Sequence, residues 1–196
     1  MDTNFFGPFN LIQAALPTMR AQKSGIIVNF SSGSGIDPRP SMGMYGATKF
    51  ALEGMSQCLA KEVAPFGIRV LVVQPGAFTT NMMNAVTVTS KPLSKGYEDT
   101  EAGKFRALFE VSSGGERNFA APNDVEKGCQ GIFEVVTGTG RGKGKEQHLK
   151  LPLSRDNAQR INAQLERTTL GCEAFRDIWE NTGHDGGVSK AFVALE

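Results

Sequence analysis

Two apolar strings, Ile26–Phe30 (IIVNF) and Ile68–Val73 (IRVLVV), limit what this chain can become. Neither alternates apolar with polar residues as a strand with one wet face would. Their β-branched character predicts strands of a parallel sheet covered on both faces. Between them, Met44–Val63 repeats apolar residues at helical spacing, with Phe50, Ala51, Gly54, Met55, Leu59 and Val63 as the expected core-facing stripe. Pro65-Phe66-Gly67 ends that helix. Ahead of the first string, Phe5, Phe9, Ile12 and Leu16 also follow helical spacing, and Lys23-Ser24-Gly25 is a stop-and-turn signal. Helix, strand, helix, strand with short connections predicts an α/β fold built on a parallel sheet.

The second half is less regular. Residues from Asn81 to Glu98 lose periodicity, as a functional loop does, and Met82, Met83 and Val86 are candidates to line an apolar pocket there. A helix is expected over Thr100–Val111, then a turn at Ser112–Gly115. Asn123 or Asp124 can cap a further helix whose apolar positions are Val125, Cys129, Ile132, Phe133 and Val136. The run Thr137–Gly144 (TGTGRGKG) lacks the spacing of a phosphate loop and reads as a connector. Gln147–Leu153 is expected to be a last, edge-like strand with Pro152 at its end. Helices are expected over Arg155–Thr168 and Glu173–Trp179, before a Gly-rich tail. This divides the chain into a main portion, 1–153, and a helical extension, 154–196.

Composition narrows the function classes. The 196 residues carry 21 basic and 20 acidic side chains, a balance with no bias toward nucleic acid. No apolar run is long enough to span a bilayer and no secretory signal opens the chain, so a cytoplasmic protein without membrane attachment is expected. Cys58, Cys129 and Cys172 are far apart and odd in number, which argues against a disulfide scaffold or zinc site and for buried or partly buried thiols. His148 and His184 are the only histidines, and neither sits in a triad or metal-ligand pattern, so no metal is expected.

Chemistry concentrates at Ile26–Lys49. Tyr45 and Lys49 are four apart, so on a helix they leave the same face. Ser32 ends the first strand thirteen residues before Tyr45. A hydroxyl, a phenol and an ammonium can thus converge at the mouth of a strand-loop-helix unit. Taken singly, each has a plainer reading: Ser32 as a turn former, Tyr45 as a helix-start aromatic, Lys49 as a solvated charge and Asn4 as a helix cap.

Taken together, Ser32, the Tyr-x-x-x-Lys of Tyr45–Lys49, the upstream NFFGPF and the downstream GIRVLVVQPGAFTT resemble the classical short-chain dehydrogenase/reductase family. The resemblance implies a nicotinamide-dependent oxidoreductase interconverting an alcohol and a ketone. It implies Tyr45 as general acid or base and Ser32 as hydrogen-bond donor to the substrate oxygen, with Ser31 the alternative serine. Because a free phenol, with a pKa of about 10, is a poor base at neutral pH, the cation of Lys49 one turn away would favour the phenolate. Lys49 would also contact the nicotinamide ribose, Asn4 would support the lysine and a proton-relay water, and Pro75, Gly76 and Thr80 would touch the nicotinamide end. The cofactor would be NADP or NAD, with NADP slightly preferred. Phe78 and the loop after it would shape a pocket for an apolar small-molecule substrate.

The family's opening strand and Thr-Gly-x-x-x-Gly-x-Gly turn, which cradle the pyrophosphate, have no counterpart in these residues. The resemblance therefore implies a partial Rossmann fold, three-layered around its parallel sheet and lacking the N-terminal βαβ half. Ile26–Phe30 would then be an open edge strand. A non-enzymatic fragment or pseudoenzyme that pairs with a full-length relative is the alternative function. By the same resemblance, helices 4–20 and 44–63 are the expected surfaces of a homo-oligomer.

Overall fold

A computed structural model of the chain describes residues 1–85, 90–107, 109 and 121–183. The expected helix end at Val111, the turn at Ser112–Gly115, Val86, the side chain of Met83, His184 and the Gly-rich tail lie outside the described residues. The chain divides into two compact units, Met1–Ile161 and Asn162–Glu196.

The first unit opens with a π-helical turn, Asp2–Phe6, that runs into α1 (Gly7–Gln22). Pro8 occupies the first turn of α1, where its missing N–H has no helical partner to lose. Lys23 closes α1 in the left-handed conformation, with φ of 51°. Then come β1 (Gly25–Phe30), α2 (Gly43–Val63) and β2 (Ile68–Gln74). A four-residue helix α3 (Met82–Ala85) and α4 (Glu101–Ala107) precede α5 (Val125–Thr137), which Asp124 caps by accepting from Lys127 N at 3.0 Å. β3 (Lys150–Pro152) leads into α6 (Arg155–Ala174), followed by the short α7 (Arg176–Trp179).

The three strands form one parallel sheet in the order β1-β2-β3. β2 is central, and Ile68 and Val70–Gln74 are buried, as its unbroken apolar run predicts. Gly25 pairs with Ile68 and Phe30 with Val73, so β1 is in register along its whole length. Among the described residues no strand pairs with the outer edge of β1. On one face, Ile27, Ile68 and Val70 pack with Ile12 of α1 and Leu59 and Val63 of α2. Arg69 points to the other face and donates to the carbonyls of Val135 and Val136, at 2.8 and 3.0 Å. A cation at the C-terminal end of α5 complements the helix dipole and fixes that helix against the sheet.

Two expectations need correction. The expected stripe of α2 holds at Met55, Leu59 and Val63, which pack in the core, but not at Phe50, Ala51 and Gly54. The buried side runs through Thr48, Leu52, Ser56, Leu59 and Val63, with Glu53 beside it, while Phe50 is 47% exposed and Gly54 is exposed. The cause lies in the sheet: it carries Asn29 and Gln74 in its interior, and buried amides need polar partners. Ser56 accepts from Asn29 Nδ2 at 2.9 Å and Glu53 from Gln74 Nε2 at 2.8 Å, so α2 turns its polar residues inward there. The thiols of Cys58, Cys129 and Cys172 are all exposed and not buried. Cys58 shares the outward side of α2 with Gly54, and Cys129 borders a cavity described below.

Candidate functional site

Ser32 lies two residues past the end of β1 in extended conformation, and its hydroxyl accepts from Ser34 N at 3.1 Å. That bond caps a 3-10 turn, Gly33–Gly35, which diverts the chain away from the sheet. Gly33 N donates to the Pro75 carbonyl at 3.3 Å. The loops after β1 and β2 are therefore tied to each other at the carboxyl end of the sheet, where open parallel sheets bind ligands.

Tyr45 lies in the first turn of α2 and Lys49 one turn later. The Lys49 ammonium sits 5.8 Å from the centre of the Tyr45 ring and donates to the Phe30 carbonyl oxygen at 2.8 Å. Burial pushes the Lys49 pKa below the usual lysine value. Asn4, in the opening π-helical turn, donates from Nδ2 to Thr48 Oγ1 at 3.3 Å, and Thr48 donates to the Tyr45 carbonyl at 2.7 Å. Asn4 thus reaches the residue before Lys49 and braces the first turn of α2.

A cavity of about 1230 Å³ opens over these loops, bordered by Ser32, Tyr45, Pro75, Gly76 and Thr80. Its remaining lining is mostly apolar, including Met42, Met44, Phe78, Ile132 and Leu153. Thr80 accepts from Met82 N at 3.3 Å, starting α3 at the cavity rim. Asn4 and Lys49 border a second, smaller cavity of about 440 Å³ beside β1 and α1. Phe30 borders both. So five of the seven residues singled out by sequence share one cavity, and the other two face the neighbouring one.

Sequence reasoning missed what lies beneath. Glu53 is 3% exposed, yet it holds three partners: Ser31 Oγ and Gln74 Nε2 on Oε1, at 2.7 and 2.8 Å, and Lys150 Nζ on Oε2 at 2.8 Å. Both serines border the large cavity, but Ser31 is buried with its hydroxyl committed to Glu53, while Ser32 is only half-buried. Asn157 of α6, fully buried, donates to the Gln74 carbonyl at 2.6 Å. In sequence Glu53 sits four residues after Lys49, the spacing of an ordinary surface ion pair, so nothing marked it as interior.

Comparison with known proteins bears on the same stretch. The family model for short chain dehydrogenases matches residues 1–91. The 3-ketodihydrosphingosine reductase of Bacteroides thetaiotaomicron is 40% identical over 125 residues, which are 64% of this chain and 45% of that protein. A crystal structure of a short-chain dehydrogenase from Streptomyces avermitilis superposes with a TM-score of 0.75 at 31% identity, covering 92% of this chain and 60% of that one. Over residues 1–91 the chain matches the short-chain dehydrogenase family, and over most of its length it shares the fold of such an enzyme. Another similar protein, oxidoreductase claN of Passalora fulva, is 56% identical over 85 residues, 43% of this chain and 39% of that protein. The chain thus spans less than half the length of these two curated relatives.

A nicotinamide dinucleotide is the cofactor that the resemblance implies, and one end of it would have room here. The cavity beside Ser32, Tyr45 and Pro75-Gly76 has room for a ring and a substrate. The pyrophosphate end finds no match among the described residues. The one Gly-rich loop after a strand, Ser32–Gly35, has its N–H groups already engaged: Gly33 N with Pro75, Gly35 N with Ser32 and Ser34 N with the Ser32 hydroxyl. No group of three or more His, Cys, Asp or Glu side chains able to hold a metal ion occurs among the described residues. No helix of the described residues is long and apolar enough to cross a membrane.

Proposed function

We propose that the chain supplies the proton-handling side of a nicotinamide-dependent oxidoreductase that interconverts an alcohol and a ketone on an apolar substrate. Tyr45 holds the transferred proton on its phenolic oxygen. Ser32 hydrogen-bonds the substrate oxygen, and Lys49 stabilises negative charge on the phenol. Asn4 steadies the first turn of α2 through Thr48. The cofactor, NADP or NAD, supplies the hydride for reduction or accepts it for oxidation. Pro75, Gly76 and Thr80 border its nicotinamide end. What carries this reading is that Ser32 and Tyr45 open onto one largely apolar cavity, with the Lys49 ammonium beside the Tyr45 ring.

The pyrophosphate grip would come from polypeptide outside these residues, the N-terminal βαβ half of the fold. The outer edge of β1, which no strand pairs among the described residues, and the 60% coverage of the Streptomyces avermitilis structure support this. Titrating NADPH and NADH into the 196-residue chain tests it, and binding weaker than micromolar is expected. Extended upstream with the N-terminal half of a relative, the chain should oxidise secondary alcohols. Tyr45→Phe should then lower kcat at least about 100-fold without loss of fold. An unchanged kcat would remove Tyr45 from the mechanism.

A second reading is favoured by the exposure of Phe30 (52%) and Ile26 (37%) on β1, whose outer edge no strand pairs among the described residues. It is a non-enzymatic chain that acts by pairing with a full-length relative. Co-purification with such a relative, with no turnover even in the extended form, would favour it.

A further inference from the structure

Gly128 of α5 and Phe78, four residues past the end of β2, meet at the side of the large cavity. A Cβ at Gly128 would stand 2.8 Å from Phe78 Cε1, closer than real Cβ atoms come to a neighbour, and a tight 3.1 Å from Cζ. The ring therefore lies on bare helix backbone. The segment that carries it is fixed: Phe78 bridges to Asn123, and Asn123 Nδ2 donates to the Ala77 carbonyl at 2.6 Å. With its backbone held, the ring can yield only by rotating about its own torsions. Leu153 is also in contact there, its Cδ2 3.7 Å from the same point. A side chain at 128 would thus lift the ring into the cavity it borders.

The space so kept open has a definite shape. Val125, Cys129 and Ile132 recur at helical spacing along one side of α5 and all border the cavity. The stripe is about 10 Å long and one side chain wide. Its sole polar atom is the Cys129 sulfur, a weak hydrogen-bond partner. Such a surface suits a flexible hydrocarbon and offers nothing to a sugar or a nucleoside.

We propose that Gly128 is a specificity-determining residue. By letting the outer edge of the Phe78 ring rest against α5, it keeps open a subsite along Val125, Cys129 and Ile132 for the unbranched alkyl chain of the ketone or alcohol. The inference rests on the oxidoreductase reading only in placing the oxygen of that ligand toward Ser32 and Tyr45.

Calorimetric titration of the full chain with 2-butanone, 2-hexanone and 2-octanone, without nicotinamide, tests it. Affinity should rise about fourfold for each added methylene. In Gly128→Ala the rise should flatten, and in the double variant with Phe78→Leu it should return. Phe78→Trp, which leaves Gly128 in place, should flatten the series as well and serves if Gly128→Ala does not fold. A flat series in the unaltered chain, or an undiminished rise in the folded single variants, overturns the proposal. The two readings fail separately. A length-dependent series without turnover in the extended chain counts against the oxidoreductase alone, and turnover beside a flat series counts against the alkyl subsite alone.

Discussion

The Glu53 carboxylate stands 2.7 Å from the Ser31 hydroxyl, one residue away from Ser32. Through Gln74 and Lys150 the same carboxylate reaches the end of β2 and the start of β3. One buried side chain of α2 therefore joins all three strands immediately below the loops that carry Ser32 and Pro75-Gly76. Lys150 is 35% exposed at its side chain, so this ion pair is wet at one end and the hydrogen bonds to Ser31 and Gln74 are the dry part.

Glu53→Ala should lower unfolding stability by about 2 kcal/mol, because it strands buried donors. The loss would appear as a shifted urea midpoint at unchanged slope. Removing the Lys150 charge as well, in Glu53→Ala/Lys150→Met, should return part of it. A midpoint that does not move in the single variant would mean that water serves the stranded groups as well as Glu53 does.

Lys49 predicts a pH dependence. Burial lowers its pKa in the folded chain below the ordinary lysine value of 10.5, so the unfolded chain holds this proton more tightly. Between the folded pKa and 10.5 the unfolded state binds more protons, and stability from this group must rise with pH. Melting temperature followed up to the alkaline end should climb in the unaltered chain relative to Lys49→Met. Parallel curves would mean the ammonium is as well solvated folded as unfolded.

The two adjacent serines should separate cleanly. Ser31→Ala should cost about 1 kcal/mol of stability through its lost bond to Glu53 and leave turnover of the extended chain nearly intact. Ser32→Ala should cost no more in stability, yet lower kcat about 100-fold or more. Steady-state kinetics beside denaturation curves would decide, and the reverse pattern would move the proposed role to Ser31.

Association is expected through the outward sides of α1 and α2, where Leu11 is 74% and Phe50 47% exposed. Sedimentation equilibrium should find a dimer that Leu11→Glu/Phe50→Glu converts to monomer. A monomeric unaltered chain would remove the homo-oligomer from the proposal.

What the sequence makes legible here is local. β1 and β2 are readable because continuous β-branched runs have few other uses. Ser32, Tyr45 and Lys49 stand out because a strand end and a helix start bring short spacings together. The inward side of α2 is not readable. Thr48, Ser56 and Glu53 look like solvent-facing residues until Asn29 and Gln74 are known to lie opposite them in the interior. β3 is readable only roughly, since three residues, Lys150–Pro152, carry no period of their own and owe their form to pairing with β2. The Phe78–Gly128 contact joins residues fifty positions apart, and no spacing rule announces it.

The bond from Lys49 to the Phe30 carbonyl has a consequence for when the chain can act. Successive residues of a strand turn their backbone groups to opposite edges. Ser31 N bonds to Val73 on the β2 side, so the Phe30 carbonyl faces the edge of β1 that no strand pairs among the described residues. The ammonium thus holds a backbone acceptor of the kind a neighbouring strand uses. A strand N–H arriving at that oxygen would compete with the lysine for it, beside Tyr45. Pairing at that edge and the position of the Lys49 charge would then be coupled.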